Sequence, residues 1–201
     1  MFSVAATPPW SLWDGKDYKN MSDQDEAKFR MIEYHKWKFK AKIFSPLAPL
    51  TVKRTPVLMT RVEYGFLGSY NKYKKSPFET FYMGGDGMSG YSSTYATETI
   101  GLRGYENGSI AGNGGYNSYG YAYSRLSMEL RYPFLLEPSS TIYGLVFVEA
   151  GNAWRDLKDF NPFQLKRSAG VGVRIFLPMI GLMGIDWAYG CLLYTSDAAD
   201  E

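Results

Sequence analysis

The sequence predicts an all-β protein: part of an antiparallel transmembrane β-barrel, left open at about seven strands, with one long loop folded inward. Three observations predict it. Apolar and polar residues alternate with a period of two through segment after segment, which puts one face of each strand in oil and the other in a polar interior. The 201 residues are 17% aromatic, with 17 tyrosines and 21 glycines, yet mean hydropathy is only -0.27, and no apolar run approaches the roughly 18 residues of a spanning helix. Finally, the long polar connection between Gly68 and Gly120 is interrupted by Thr99-Ile100-Gly101-Leu102-Arg103-Gly104-Tyr105, its least loop-like part.

Taken in order, Phe2 to Thr7 reads as the end of a strand, followed by an aromatic connection in which Trp10 and Trp13 suit an interfacial girdle. The polar segment Ser22 to Glu26 could cap a short helical turn, but its charge more plainly marks a solvated loop. From Tyr34 to Phe44, Lys36, Lys38, Lys40 and Lys42 share one face and Trp37, Phe39, Ala41 and Ile43 the other; a helix would scatter these lysines, whereas a water-filled lumen accepts them. Ser45 to Leu50 is a short proline-rich turn. The next strand rises near Lys53, and Leu58, Thr60, Val62, Tyr64 and Phe66 alternate with Met59, Arg61, Glu63 and Gly65.

Beyond the long loop, Leu126, Met128, Leu130 and Tyr132 alternate with Arg125, Ser127, Glu129 and Arg131. An arginine turned to mid-membrane lipid costs about 2–4 kcal/mol, so the charged row faces the lumen. Pro133 to Ser140 reads as a turn. The following strand turns Tyr143, Leu145, Phe147 and Glu149 inward, an unusually apolar row that calls for a covering segment. After a charged connection from Arg155 to Lys166, Ser168, Gly170, Gly172 and Arg174 oppose an apolar row; the last strand sends Met183, Ile185, Trp187 and Tyr189 to lipid and Asp186 inward.

Gly101 and Gly104, on either side of Leu102-Arg103, allow tight turns and close backbone approach, so Arg103 can point into a cavity while Leu102 and Tyr105 pack beside it. Phe78, Gly84 and Gly85 belong to the second ordered piece of the loop and support it. Gly87 to Ala96 and Gly112 to Tyr119 read as surface loop. A net charge of +2 without a clustered basic face argues against a nucleic-acid partner. With one cysteine, Cys191, and one histidine, His35, no intramolecular disulfide, cysteine zinc site or histidine-based triad is available. Glu129 and Glu149 imitate a catalytic carboxylate pair, but nothing else suggests a substrate cleft. Neither enzyme activity, metal nor cofactor is expected.

The segments Ser76 to Gly85, Leu102 to Tyr105, Leu126 to Phe134 and Phe147 to Trp154 resemble, in order and spacing, the C-terminal barrel of outer-membrane assembly factors of the bacterial surface antigen superfamily. The resemblance runs from Met1 to Gly190. It implies residence in the outer membrane of a Gram-negative bacterium, contact with outer-membrane lipid, unfolded β-barrel proteins as clients, and accessory lipoproteins recruited through periplasmic domains outside this chain. It also implies that Arg103 meets Glu129 and Glu149 on the lumen wall. Residues 1–190 are then an incomplete barrel lacking its last strand, and residues 191–201, which abandon the alternation and turn acidic, are a non-native, adapter-derived tail.

The function implied is that of a fragment of a factor that folds and inserts β-barrel proteins. Two alternatives stand beside it: a passive outer-membrane channel or receptor barrel, whose lysine row would favour anions, and a related TamA-like or two-partner secretion translocator. The arginine motif with acidic partners favours the first, because a porin has no need of it.

Overall fold

A computed structural model describes residues 1–22, 26–49, 54–85, 98–110, 119–137 and 139–191. In chain order the elements are β1 (Phe2–Ala6), α1 (Trp10–Trp13), α2 (Glu26–Phe29), β2 (His35–Pro46), β3 (Val57–Gly68), β4 (Phe81–Met83), β5 (Glu98–Ile100), β6 (Ala122–Glu137), β7 (Ser140–Trp154), a 3-10 turn (Leu157–Asp159), β8 (Lys166–Leu177) and β9 (Gly181–Gly190). Seven strands form one antiparallel sheet in the order β1-β2-β3-β6-β7-β8-β9. Strands that follow one another in the sheet also follow in sequence, apart from the excursion between β3 and β6. The sheet does not close: β1 and β9 lie at its two edges.

The register carries each inward row across the sheet. Lys40 lies opposite Glu63, Glu63 opposite Arg125, Ser127 opposite Glu149, and Gly172 opposite Asp186. Because the side-chain period is two, this register holds all the charged rows on one face and leaves the other to Trp37, Met128, Leu130, Val146, Val148, Val171, Ile185 and Trp187, all exposed. A bare apolar face of this extent belongs against lipid.

The packed core lies between the charged face and the excursion. β4 and β5 pair in parallel, with Phe81 beside Glu98 and Met83 beside Ile100, and further bridges tie Phe81 to Gly120 and Gly85 to Leu102. Phe81, Met83, Ile100, Leu102 and Ile110 bury themselves against Leu67, Tyr123 and Ala153 of the wall. The loop therefore supplies the hydrophobic partner that the inner rows of β6 and β7 lack.

Two expectations change. The turn expected over residues 133–140 is confined to its end: β6 runs to Glu137 and pairs with β7 from Ser140, with Ser139 the turn residue described between them and the register slipping between Pro133 and Leu135. Proline has no N–H to donate, and the irregularity accommodates it within the strand. One helical turn, Glu26–Phe29, begins at the last residue of the charged segment 22–26, of which residues 23–25 lie outside the described residues. The lysine row is only partly in water, since Lys36 is buried against the loop and Lys42 is exposed at the far end. The Cys191 amide still donates to Arg167 O at 2.8 Å. The remainder of the acidic tail and the expected surface segments at 87–96 and 112–118 lie outside the described residues.

Placing a charge in the middle of the bare face tests its assignment to lipid. Val148→Arg in the full-length barrel is expected to lower stability by about 2–4 kcal/mol in guanidinium titrations from liposomes. Unchanged stability would mean that this face does not meet the bilayer.

Candidate functional site

Arg103 enters the wall at the point where β6, β7 and β9 each turn a carboxylate inward. Its Nη2 donates to Glu129 Oε1 at 2.7 Å and to Glu149 Oε1 at 2.8 Å, and its Nη1 to Asp186 Oδ2 at 3.2 Å. The backbone N–H of Arg103 adds a bond to Glu149 Oε2 at 2.9 Å. The guanidinium lies 3.5 Å from the centroid of the Phe147 ring, a cation–π stack that covers the apolar inner row of β7. A planar fork suits this seat: one face rests on an aromatic ring while its edges bond carboxylates on different strands.

Each carboxylate has a further cation of its own. Glu149, whose side chain is fully buried, also accepts from Arg125 at 2.9 Å and from Ser127 at 3.1 Å; Arg125 in turn lies 3.6 Å from Glu63. Arg131 holds Glu129 through two bonds, of 2.9 and 2.5 Å. Arg174 holds Asp186 at 2.6 and 2.7 Å. Charges of opposite sign thus alternate from β3 to β9 with Arg103 at the branch point. Burial opposes the charged form of Arg103, but hydrogen bonds to Glu149 and the charges of Glu149 and Glu129 outweigh it, and its pKa rises above the ordinary arginine value.

Backbone geometry sets the arginine there. Gly104 has φ +89°, and a Cβ on it would lie 2.9 Å from the Gly190 amide nitrogen and 3.2 Å from Ser168 Cβ, so only glycine lets the turn rest on β8 and β9. Tyr105 then donates from its hydroxyl to Arg167 O at 2.7 Å, and Leu102 is fully buried in the core. Gly84 and Gly85 lie under the following turn: their amides donate to Ile100 O and Tyr105 O, each at 3.0 Å. Phe78 sits apart from this seat. It is half buried, its N–H bonded to Ser76 Oγ at 3.2 Å, and the buried aromatic of that segment is Phe81.

A second anchor, unforeseen from the sequence, has the opposite polarity. Glu98 of β5 reaches Lys38 at 2.9 Å, Lys36 at 3.3 Å and Lys40 at 3.4 Å, while Glu79 takes Lys36 at 3.0 Å. Lys36 also lies over the Phe81 ring at 4.8 Å. Burial raises the Glu98 pKa, but the hydrogen bond from Lys38 and the charges of three lysines more than reverse this and hold it below the ordinary carboxylate value. Asp186 and Phe147 likewise escaped assignment as partners of Arg103. Their inward positions were readable from alternation; their distance from Arg103 was not. Among the described residues no cluster of His, Cys, Asp and Glu could hold a metal, and the carboxylates at the centre are taken up by arginines.

Two measurements follow from these anchors. In a double-mutant cycle, Arg103→Ala and Glu149→Gln should each weaken loop docking, Arg103→Ala by about 3 kcal/mol, and together by clearly less than their sum; purely additive effects on loop proteolysis would mean no coupling. Glu98→Gln should weaken docking by on the order of 1 kcal/mol at neutral pH. Because the folded-state pKa of Glu98 is depressed, its stabilisation is fully present above the ordinary carboxylate value and is lost as pH falls through the lowered one. The difference between Glu98→Gln and the parent protein should vanish over that acidic window; a pH-independent difference would remove the carboxylate–lysine anchor from the account.

Residues 27–197 match the model of the Omp85 superfamily domain. No curated protein sequence matches the chain. Among solved structures it is similar to BamA from Haemophilus ducreyi lacking POTRA domains 1–3, with a TM-score of 0.57 at 21% identity; the match covers 81% of this chain and 32% of that one. The likeness is one of fold, and this chain spans about a third of the length of that structure. The chain belongs to the Omp85 superfamily, whose barrels reside in outer membranes, and forms an open, seven-stranded part of such a barrel.

Proposed function

We propose that the parent protein folds and inserts β-barrel proteins into the outer membrane of a Gram-negative bacterium, and that this part of it is the braced wall. Residues 1–190 are the barrel portion in this reading and residues 191–201 a foreign tail. The partners are outer-membrane lipid, unfolded β-barrel clients, and accessory lipoproteins bound through periplasmic domains beyond this chain. No covalent chemistry is required. An unpaired strand edge offers a row of amides and carbonyls to an incoming strand, and such augmentation does not depend on the client's side chains.

The observation that carries this reading is the seat of Arg103 on β6, β7 and β9. A barrel that opens at one seam must hold the rest of its wall in register while the seam is unpaired. A cation bonded to three strands supplies that restraint without adding a strand of its own. A passive channel gains less support, because the loop buries Phe81, Met83, Ile100 and Leu102 against the face that a pore would keep wet.

The test is made in cells carrying the full-length gene. Arg103→Ala should lower the amount of folded outer-membrane barrel proteins several-fold while the variant itself still reaches the membrane, and Arg103→Lys should restore only part, since a point charge cannot bridge three strands. Undiminished client folding alongside altered ion conductance would favour the channel reading instead.

A further inference from the structure

At the end of the sheet away from the short turns, three connections meet around a cavity of about 1020 Å³. The β1–β2 connection brings Lys19, the long loop brings Lys72, Tyr73 and Tyr119, and the β7–β8 connection brings Arg155. Five basic side chains line the space against two carboxylates. One of these, Asp156, is already held by Lys75 at 2.8 Å. Among the described residues, Lys19, Lys72 and Arg155 make no ion pair, and all three are exposed.

The cations and rings are interleaved. Arg155 lies over Tyr119 at 5.5 Å and Lys72 over Tyr73 at 4.7 Å, while Tyr119 meets Tyr121 edge to face at 6.1 Å. A guanidinium or ammonium resting on a ring keeps its outer N–H donors for an anion, and the electron-rich face of a tyrosine accepts the C–H face of a saccharide. The excess of positive charge matches a group of nearly two negative charges, and arginine and lysine together suit phosphate oxygens. The volume fits a small ligand.

We propose that this cavity binds a phosphorylated sugar, with the sugar ring on Tyr119 or Tyr73 and the phosphate on Arg155, Lys72 and Lys19. The site is independent of the assembly reading, since it uses none of the residues that seat Arg103. A phosphorylated sugar can arrive free or as the headgroup of a glycolipid in the surrounding leaflet; the chemistry of recognition is the same.

The experiment uses the full-length protein in nanodiscs and calorimetric titration with glucose 6-phosphate, glucose, inorganic phosphate and AMP. Glucose 6-phosphate should bind at least about tenfold more tightly than glucose or phosphate alone. Arg155→Gln combined with Lys72→Gln, both at exposed positions, should weaken it at least about tenfold. Arg54→Gln, at the opposite end of the sheet, should leave it unchanged. Nanodiscs containing a phosphorylated glycolipid that suppress this binding would support the site and identify a headgroup as its source; binding undisturbed by that lipid would support the site with a soluble source. The proposal is overturned by no binding of glucose 6-phosphate, by equally tight binding of phosphate alone, by tighter binding of AMP, or by an indifferent double variant.

Discussion

A guanidinium inside the wall of a membrane sheet requires negative charge already in place, and this single constraint organises the inner face. Arg103 is only 12% exposed and its nearest carboxylates, Glu129 and Glu149, are more deeply buried still. Left alone, either sign would be strongly destabilising at that depth. Each acid therefore has a second cation, Arg131 on the same strand for Glu129 and Arg125 and Arg174 on neighbouring strands for Glu149 and Asp186, so that the arginines of β6 and β8 share the same carboxylates as the loop. Around Arg103 the network balances, with Arg103, Arg125, Arg131 and Arg174 against Glu63, Glu129, Glu149 and Asp186, and removing the loop leaves it one positive charge short.

Polarity gives the docking its register. The loop offers a base to the acidic side of the face, around β6, β7 and β9, and acids to the basic side, along β2. A loop shifted or reversed along the sheet would bring Arg103 towards lysines and Glu98 towards carboxylates, so charge discriminates against the wrong placements more than it adds net stability to the right one. Between the two anchors the apolar side chains of β4 and β5 fill the space against Leu67, Tyr123 and Ala153, and this burial provides the undirected part of the attraction. The arrangement resembles an interface between two proteins, with an apolar centre and specific charges, built within one chain.

Alternation made most of the sheet legible. Lys36 to Lys42, Arg125 to Arg131 and Ser168 to Arg174 repeat with a period that only a strand explains, and all three lie on the face the sequence suggests. The end of β6 was not legible, because Pro133 is a turn signal unless a register slip absorbs it, and a slip is a property of two strands. The short pairing of β4 with β5 was hidden for a similar reason. Their three-residue runs carry too little pattern, and what makes them strands is one another and the wall. Arg103 drew attention through its glycine neighbours, and the inward positions of Glu129 and Glu149 follow from alternation. Glu98 gave no local signal: its partners are three lysines some sixty residues earlier, visible as a row and not as a destination.

Hydrogen exchange on the full-length protein in nanodiscs most directly tests the claim that the loop is a docked part of the wall. If the Arg103 amide is bonded to Glu149 and the β5 amides lie beneath the loop core, peptides spanning residues 98–105 should exchange as slowly as those from β6 and β7. Exchange of that stretch at the rate of an exposed loop, with β6 and β7 still protected, would contradict the account.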